Sequence, residues 1–109
     1  MSFDALEVAL DMLGSIGGPV GKIGGRDPDL GRQIRRSASP VPLNVAEGRQ
    51  RNGRDRLHLY RVAAGSNAEV RTALGIAVAW RYVGADEVAE GLALCDRVAA
   101  MLWRLTHPR

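Results

Sequence analysis

Apolar residues recur every three or four positions along almost the whole chain, and this spacing constrains the fold more than any other feature. The four stripes run from Phe3 to Ile23, from Leu30 to Val45, from Leu59 to Trp80 and from Val88 to Leu102. A step of three or four residues is the period of an α-helix that buries one face. Because only short segments separate the stripes, consecutive helices must run antiparallel. The sequence therefore predicts an all-α fold, an antiparallel up-down-up-down four-helix bundle.

Local signals predict the helix boundaries at about residues 3–23, 28–50, 53–82 and 86–105. Ser2 is a suitable N-cap for the first helix, and Asp27-Pro28 can cap and begin the second. The expected turns are Gly24-Gly25-Arg26, Asn52-Gly53 and Gly84-Ala85-Asp86. Residues 1–109 are then one domain of ordinary size.

Prolines interrupt two of the predicted helices. The first helix is expected to have a weak point at Gly17–Pro19, although its apolar stripe continues beyond it. In the second helix, Pro40 and Pro42 have no N–H to donate to the carbonyl groups four residues earlier, so the helix should bend or widen there.

Polar residues also follow helical spacing, on the second and third helices. A polar set between helices has to be hydrogen-bonded, so we predict a polar clasp in which Asn44 and Ser66 link the two helices. Glu47 and Glu69 are expected to be at least half buried as acceptors, and Gly65 to let a second backbone approach. The predicted clasp residues are Ser37, Asn44, Glu47, Gly48, Gly65, Ser66 and Glu69.

Two runs, QIRRSASPVPLNVAEG at 33–48 and LYRVAAGSNAEV at 59–70, resemble a bacterial four-helix bundle family found as reading frames in intervening sequences of large-subunit ribosomal RNA genes. The matching positions are Gln33, Arg36, the run from Ser39 to Gly48, Ala63, Gly65, Ser66 and Glu69. The resemblance implies a small bundle, often a ring-shaped homopentamer. It also implies a relation to the accessory protein of diversity-generating retroelements, which binds a reverse transcriptase and nucleic acid through a basic surface.

Arginine is concentrated in the middle third of the chain. Residues 26–61 contain nine Arg against four Asp or Glu, a local net charge of +5, while the whole chain carries +3. Arg suits phosphate groups, so this cluster predicts RNA contacts, whereas the few aromatic residues disfavour stacking on unpaired bases. The predicted nucleic-acid-binding residues are Arg35, Arg36, Arg49, Arg51, Arg54, Arg56 and Arg61.

The residues give little support for catalysis. A di-iron bundle needs Glu-x-x-His motifs, and the sequence has only one partial match to this motif, at Asp55 and His58. Cys95 lies on an apolar stripe and is expected in the core. We therefore expect a non-enzymatic cytoplasmic protein with no metal, cofactor, small-molecule substrate or membrane association. An RNA or ribonucleoprotein accessory module and a structural protein–protein adaptor stay open as functions.

Self-association is also expected, because the fourth helix is apolar on more than one side. Leu94, Val98, Met101 and Leu105 lie beside its main stripe, and Trp103 lies on a third side. Large exposed apolar patches usually mark an interface. We expect a homo-oligomer, five subunits by resemblance, while the sequence itself would equally allow a dimer.

Overall fold

The computed structural model describes residues 4–108, and the regular structure in that range is helical. It consists of α1 (Ala5–Arg26), α2 (Pro28–Ala38), α3 (Pro40–Arg49), α4 (Gly53–Ala79) and α5 (Ala85–Thr106), with no β-strand in the described range. Each helix buries one apolar face in a common core. The prediction of an all-α four-helix bundle is confirmed, with α2 and α3 together forming the second of the four rods.

The second rod is interrupted at Ser39, the residue before the first of its two prolines. Ser39 keeps right-handed helical angles (φ −58°, ψ −39°), and its N–H donates to the Arg35 carbonyl over 3.2 Å. The N–H of Leu43 reaches the Ser39 carbonyl over a long 3.4 Å. Pro40 then occupies the first turn of α3, where a missing N–H is tolerated. The predicted irregularity is therefore present, as a break of one residue at which the backbone keeps helical angles.

The rods are arranged so that each packs on two neighbours. α1 contacts α2, α3 and α5, and α4 contacts the same three helices, so α1 and α4 stand diagonally across the bundle, which measures 42 × 26 × 19 Å. We call the end that contains residues 4–8, 47–61 and 102–108 the basal end. The opposite end, with residues 22–32 and 79–88, is the apical end.

α1 is longer than predicted, and part of its buried face differs. The expected N-cap Ser2 and first helical residue Phe3 lie outside the described residues, and Asp4 caps the helix by accepting from the N–H groups of Leu6 and Glu7. The helix continues through Pro19 to Arg26, so the turn expected at residues 24–26 is wrong. Its first half buries Ala5, Val8, Ala9 and Met12, while Leu10 of the expected stripe is 51% exposed.

The connection from α1 to α2 consists of Asp27 alone. Its N–H donates to the Ile23 carbonyl at 2.7 Å, and its carboxylate accepts from the N–H of Leu30 at 3.0 Å, so one residue ends α1 and begins α2. The two backbones touch just beyond it, because a Cβ on Gly31 would lie 2.7 Å from the Cα of Gly24. This close contact accounts for the glycine at position 24 within a helix, whereas Gly25 faces open space.

α4 ends three residues earlier than predicted. The N–H of Tyr82 donates to the Ala77 carbonyl and that of Arg81 to the Val78 carbonyl, each over 2.9 Å, which is the pattern of a Schellman motif. Arg81 takes the left-handed conformation (φ 64°) that this motif requires. The structure therefore ends α4 without the glycine that normally signals such a stop.

The core contains most of the predicted apolar positions, with informative exceptions. Tyr60 and Asn67 of α4 are buried although neither belongs to the predicted stripe, while Val62 and Trp80 of that stripe are exposed. On α5, Ala99 faces outward. Val98 and Met101, expected to exceed what one bundle can bury, are in the core, whereas Trp103 and Leu105 are exposed. Among the described helices, none is long and apolar enough to cross a membrane.

Candidate nucleic-acid interface

Five of the seven predicted nucleic-acid-binding arginines lie at the basal end. The end of α3, the loop that follows it and the first three turns of α4 bring together Arg49, Arg51, Arg54, Arg56 and Arg61. All five are exposed. The α3–α4 connection is short, so these side chains are confined to one end of the bundle.

Two of these arginines form ion pairs within the chain. The Arg49 guanidinium pairs with the N-cap residue Asp4, and this hydrogen bond is the largest effect holding the pKa of the Asp4 carboxyl below its usual value. Arg51 pairs with Glu47 at 2.7 Å, which raises the pKa of Arg51 further. Both pairs are exposed, and water and salt screen exposed ion pairs so strongly that either arginine can exchange its carboxylate for another anion.

Arg56 has a structural role that the sequence analysis missed. Its Nε donates to the Gly48 carbonyl at 3.1 Å, and its Nη2 donates to the Arg49 carbonyl at 3.2 Å. These carbonyls belong to the last turn of α3 and have no partner within the helix. Together with the Arg51 N–H, which also donates to the Gly48 carbonyl at 3.1 Å, Arg56 therefore caps α3 and links it to the first turn of α4.

Arg54 and Arg61 are the arginines of this group that point freely into solvent. Positions 54, 58 and 61 share one outward face of α4, so His58 lies between the two arginines, and none of the three residues is buried. In the described part of the chain, neither arginine has a carboxylate within ion-pair distance. Arg104, near the end of α5, adds a further cation beside Arg49.

The other two predicted arginines lie elsewhere. Arg35 and Arg36 are on α2, ten or more residues along the rod from the basal cluster. Arg35 borders a groove between α1 and α2, with Leu13 and Val20. Arg36 borders a different groove, beside Ser37 and Glu69. The seven arginines therefore do not form one continuous surface.

The predicted polar clasp forms only in part. Ser37 is buried and donates to Glu69 at 2.8 Å, which links α2 to α4. The predicted Asn44–Ser66 bond is wrong, because the Asn44 amide donates instead to the Pro40 carbonyl of its own helix at 2.8 Å. Glu69 is exposed rather than half buried, whereas the side chain of Glu47 is half buried, 49% exposed, and pairs with Arg51 instead of reaching α4.

The two glycines of the predicted clasp have opposite surroundings. A Cβ on Gly48 would lie 2.7 Å from the Tyr60 ring, so this glycine allows α3 to pack closely on α4. Gly65 faces open space, and a Cβ on it would have nothing within 4 Å, so the expected backbone approach there is wrong. A second buried polar residue between helices is Asn67, whose amide donates to the Cys95 carbonyl at 2.9 Å.

Other chemistry has little basis in the described residues. No group of three or more His, Cys, Asp or Glu side chains in residues 4–108 is placed to hold a metal ion. Cys95 is fully buried, and burial raises the pKa of its thiol to about 11, so the thiol stays protonated at neutral pH.

Comparison with known proteins gives a family and a fold. The family described as 23S rRNA-intervening sequence protein matches residues 25–104. The crystal structure of a protein of unknown function from the S23 ribosomal protein family of Bacteroides thetaiotaomicron superimposes with a TM-score of 0.84, covering 95% of this chain and 99% of that one at 15% identity. At that identity the likeness shows the fold alone. No curated protein matches the chain.

Proposed function

We propose, from the premise that the chain belongs to the 23S rRNA-intervening sequence protein family, that it is a non-enzymatic RNA-binding accessory module. The basal end makes the contacts, chiefly to phosphate groups, so binding is weak and independent of sequence. Arg54 and Arg61 are its central residues, with Arg49, Arg51 and Arg104 around them.

The observation that carries this proposal is the outward face of α4 at the basal end. Arg54 and Arg61 are two helical turns apart, about 10 Å, with His58 between them. Unlike Arg49 and Arg51, they have no carboxylate partner in the described range, so they need not exchange an ion pair to bind phosphate. Arg56 caps α3 from α4, which ties together the two helices that carry the cationic surface.

Charge reversal tests the proposal. The double variant Arg54→Glu/Arg61→Glu should weaken binding of a structured RNA by at least about tenfold at low salt and reduce the salt slope by about one to two, since two phosphate contacts are lost. The matched control is Arg26→Glu/Arg81→Glu, which makes the same charge change at the apical end.

Filter binding across salt concentrations separates the outcomes. A larger loss for the basal variant than for the apical one supports the proposal. Equal losses would mean that only net charge matters, and the basal end would then have no special role. Absence of binding by the parent protein at low salt would refute an RNA function.

A protein–protein adaptor is the second candidate, and one observation favours it. Leu43 of α3 is 66% exposed, and Val62 lies outward on the neighbouring α4. We call these two exposed apolar residues the Leu43–Val62 surface. We propose that it is the face through which copies of the chain associate.

A further inference from the structure

The last turn of α5 carries two aromatic rings stacked on each other in solvent. The Trp103 and His107 ring centroids are 4.3 Å apart and the rings are 11° from parallel. Trp103 is nevertheless 60% exposed and His107 is exposed as well, so the stacked pair presents aromatic surface to solvent. We call this pair the aromatic platform.

Hydrogen bonds hold the platform in place. His107 Nδ1 lies 2.9 Å from the Trp103 carbonyl, and the Thr106 hydroxyl donates to the Leu102 carbonyl at 2.8 Å. The imidazole is thereby fixed over the indole at the end of the helix. A flat surface formed before binding loses little conformational entropy when a planar ligand stacks on it.

The register of α4 and α5 puts the platform beside the basic face of α4. Arg71 of α4 pairs with Asp96 of α5 at 2.6 Å, so these residues are level with each other. The two helices are antiparallel, and seven residues make two helical turns. Seven residues toward the basal end, Ala64 of α4 and Trp103 of α5 are therefore level with each other and lie on the same faces of their helices as Arg71 and Asp96. Arg61 is three residues from Ala64, toward the basal end.

We propose that the aromatic platform stacks an unpaired nucleobase of single-stranded RNA whose phosphates lie on Arg54 and Arg61. The proposal rests on the RNA-binding function argued above and specifies the kind of RNA that is bound. Phosphate contacts alone do not distinguish single strands from duplexes, whereas stacking needs a base whose face is uncovered. The small number of aromatic residues in the sequence disfavours stacking, but one exposed pair at the basal end of the bundle is sufficient for one base.

Trp80 offers a matched control. It is 69% exposed at the apical end, and among the described residues no aromatic ring stacks on it. Trp103→Ala should weaken binding of a single-stranded 12-nucleotide RNA by about 5- to 100-fold and leave the affinity for a 12-base-pair RNA duplex unchanged. Trp80→Ala should change neither affinity, and Trp103→Phe should keep part of the single-strand affinity because it keeps a ring.

Fluorescence anisotropy with both RNAs separates the outcomes, and circular dichroism verifies that each variant is folded. If Trp103→Ala binds the single strand as tightly as the parent does, or loses both RNAs equally, the stacking proposal is overturned while RNA binding stands. If the parent binds neither RNA at low salt, both proposals are overturned. If Trp103→Ala changes the mass of the protein in light scattering, the indole is covered by a second copy and the stacking proposal is also overturned.

Discussion

Arg81 shows how a single residue can end a helix at a cost in stability. Its positive φ completes the Schellman motif after α4, but for a residue with a side chain the left-handed conformation costs about 1–2 kcal/mol. The sequence prediction extended α4 to residue 82 because no glycine marks this stop. Such a position can be recognised only once the backbone is known.

Replacing Arg81 with Gly should therefore stabilise the protein. We expect Arg81→Gly to raise the free energy of unfolding by about 0.5–1 kcal/mol, because the relief of strain exceeds the added entropy of the unfolded chain. Arg81→Ala is the control, since it removes the same side chain beyond Cβ but keeps the strain. Urea denaturation of the three proteins compares them, and equal midpoints for the Gly and Ala variants would contradict this account.

At the scale of helices, the contact between α1 and α2 depends on two glycines that touch. A methyl group on Gly31 would collide with the backbone of Gly24, which cannot move aside as a flexible side chain could. Gly31→Ala should therefore lower the free energy of unfolding by about 1–3 kcal/mol, the usual cost of overpacking.

Gly21→Ala in α1 is the matched control for this helix contact. Nothing lies within 4 Å of a Cβ at that position, so the higher helix propensity of Ala should stabilise the protein by about 0.5–1 kcal/mol. Thermal unfolding monitored by circular dichroism measures both changes. A Gly31→Ala protein as stable as the parent would show that the two helices are not in close contact.

The order and approximate lengths of the four rods could be predicted from apolar spacing, because each rod buries one face. The face that α1 buries could not be predicted, since two sets of its apolar residues recur at helical spacing. One set is Leu6, Leu10 and Leu13, and the second set is Ala5, Val8, Ala9 and Met12. Tertiary contacts decide between them, and the bundle buries the second set, of which Ala5, Val8 and Ala9 are smaller than leucine and permit closer packing. Asn67 was missed for a related reason: polar residues are not expected on a buried face.

The candidate interface was predictable to a similar degree. The concentration of arginine near the α3–α4 connection could be read from the sequence. What could not be read is that Arg56 caps α3, that Arg49 and Arg51 are paired, and that Trp103 and His107 stack at the same end. Each of these depends on contacts between residues on different turns or helices.

At the scale of the whole molecule, self-association should depend on the Leu43–Val62 surface. We expect the parent protein to have a mass in light scattering that is a multiple of the 11.7 kDa chain, and Leu43→Glu to lower it toward the monomer, since a charge would be buried at the interface. Leu10→Glu, at an exposed leucine of α1, is the control and should leave the mass unchanged. A parent mass of a single chain would refute self-association.

Mapping the RNA contact by NMR tests whether RNA binds at the basal end. Backbone amide shifts of the ¹⁵N-labelled protein would be followed during titration with a short single-stranded RNA at low salt. The account predicts that the largest changes fall in residues 49–61 and 103–107, at the end of α3, the start of α4 and the last turn of α5. Changes confined to the apical end, in residues 22–32 and 79–88, or no changes at saturating RNA, would contradict it.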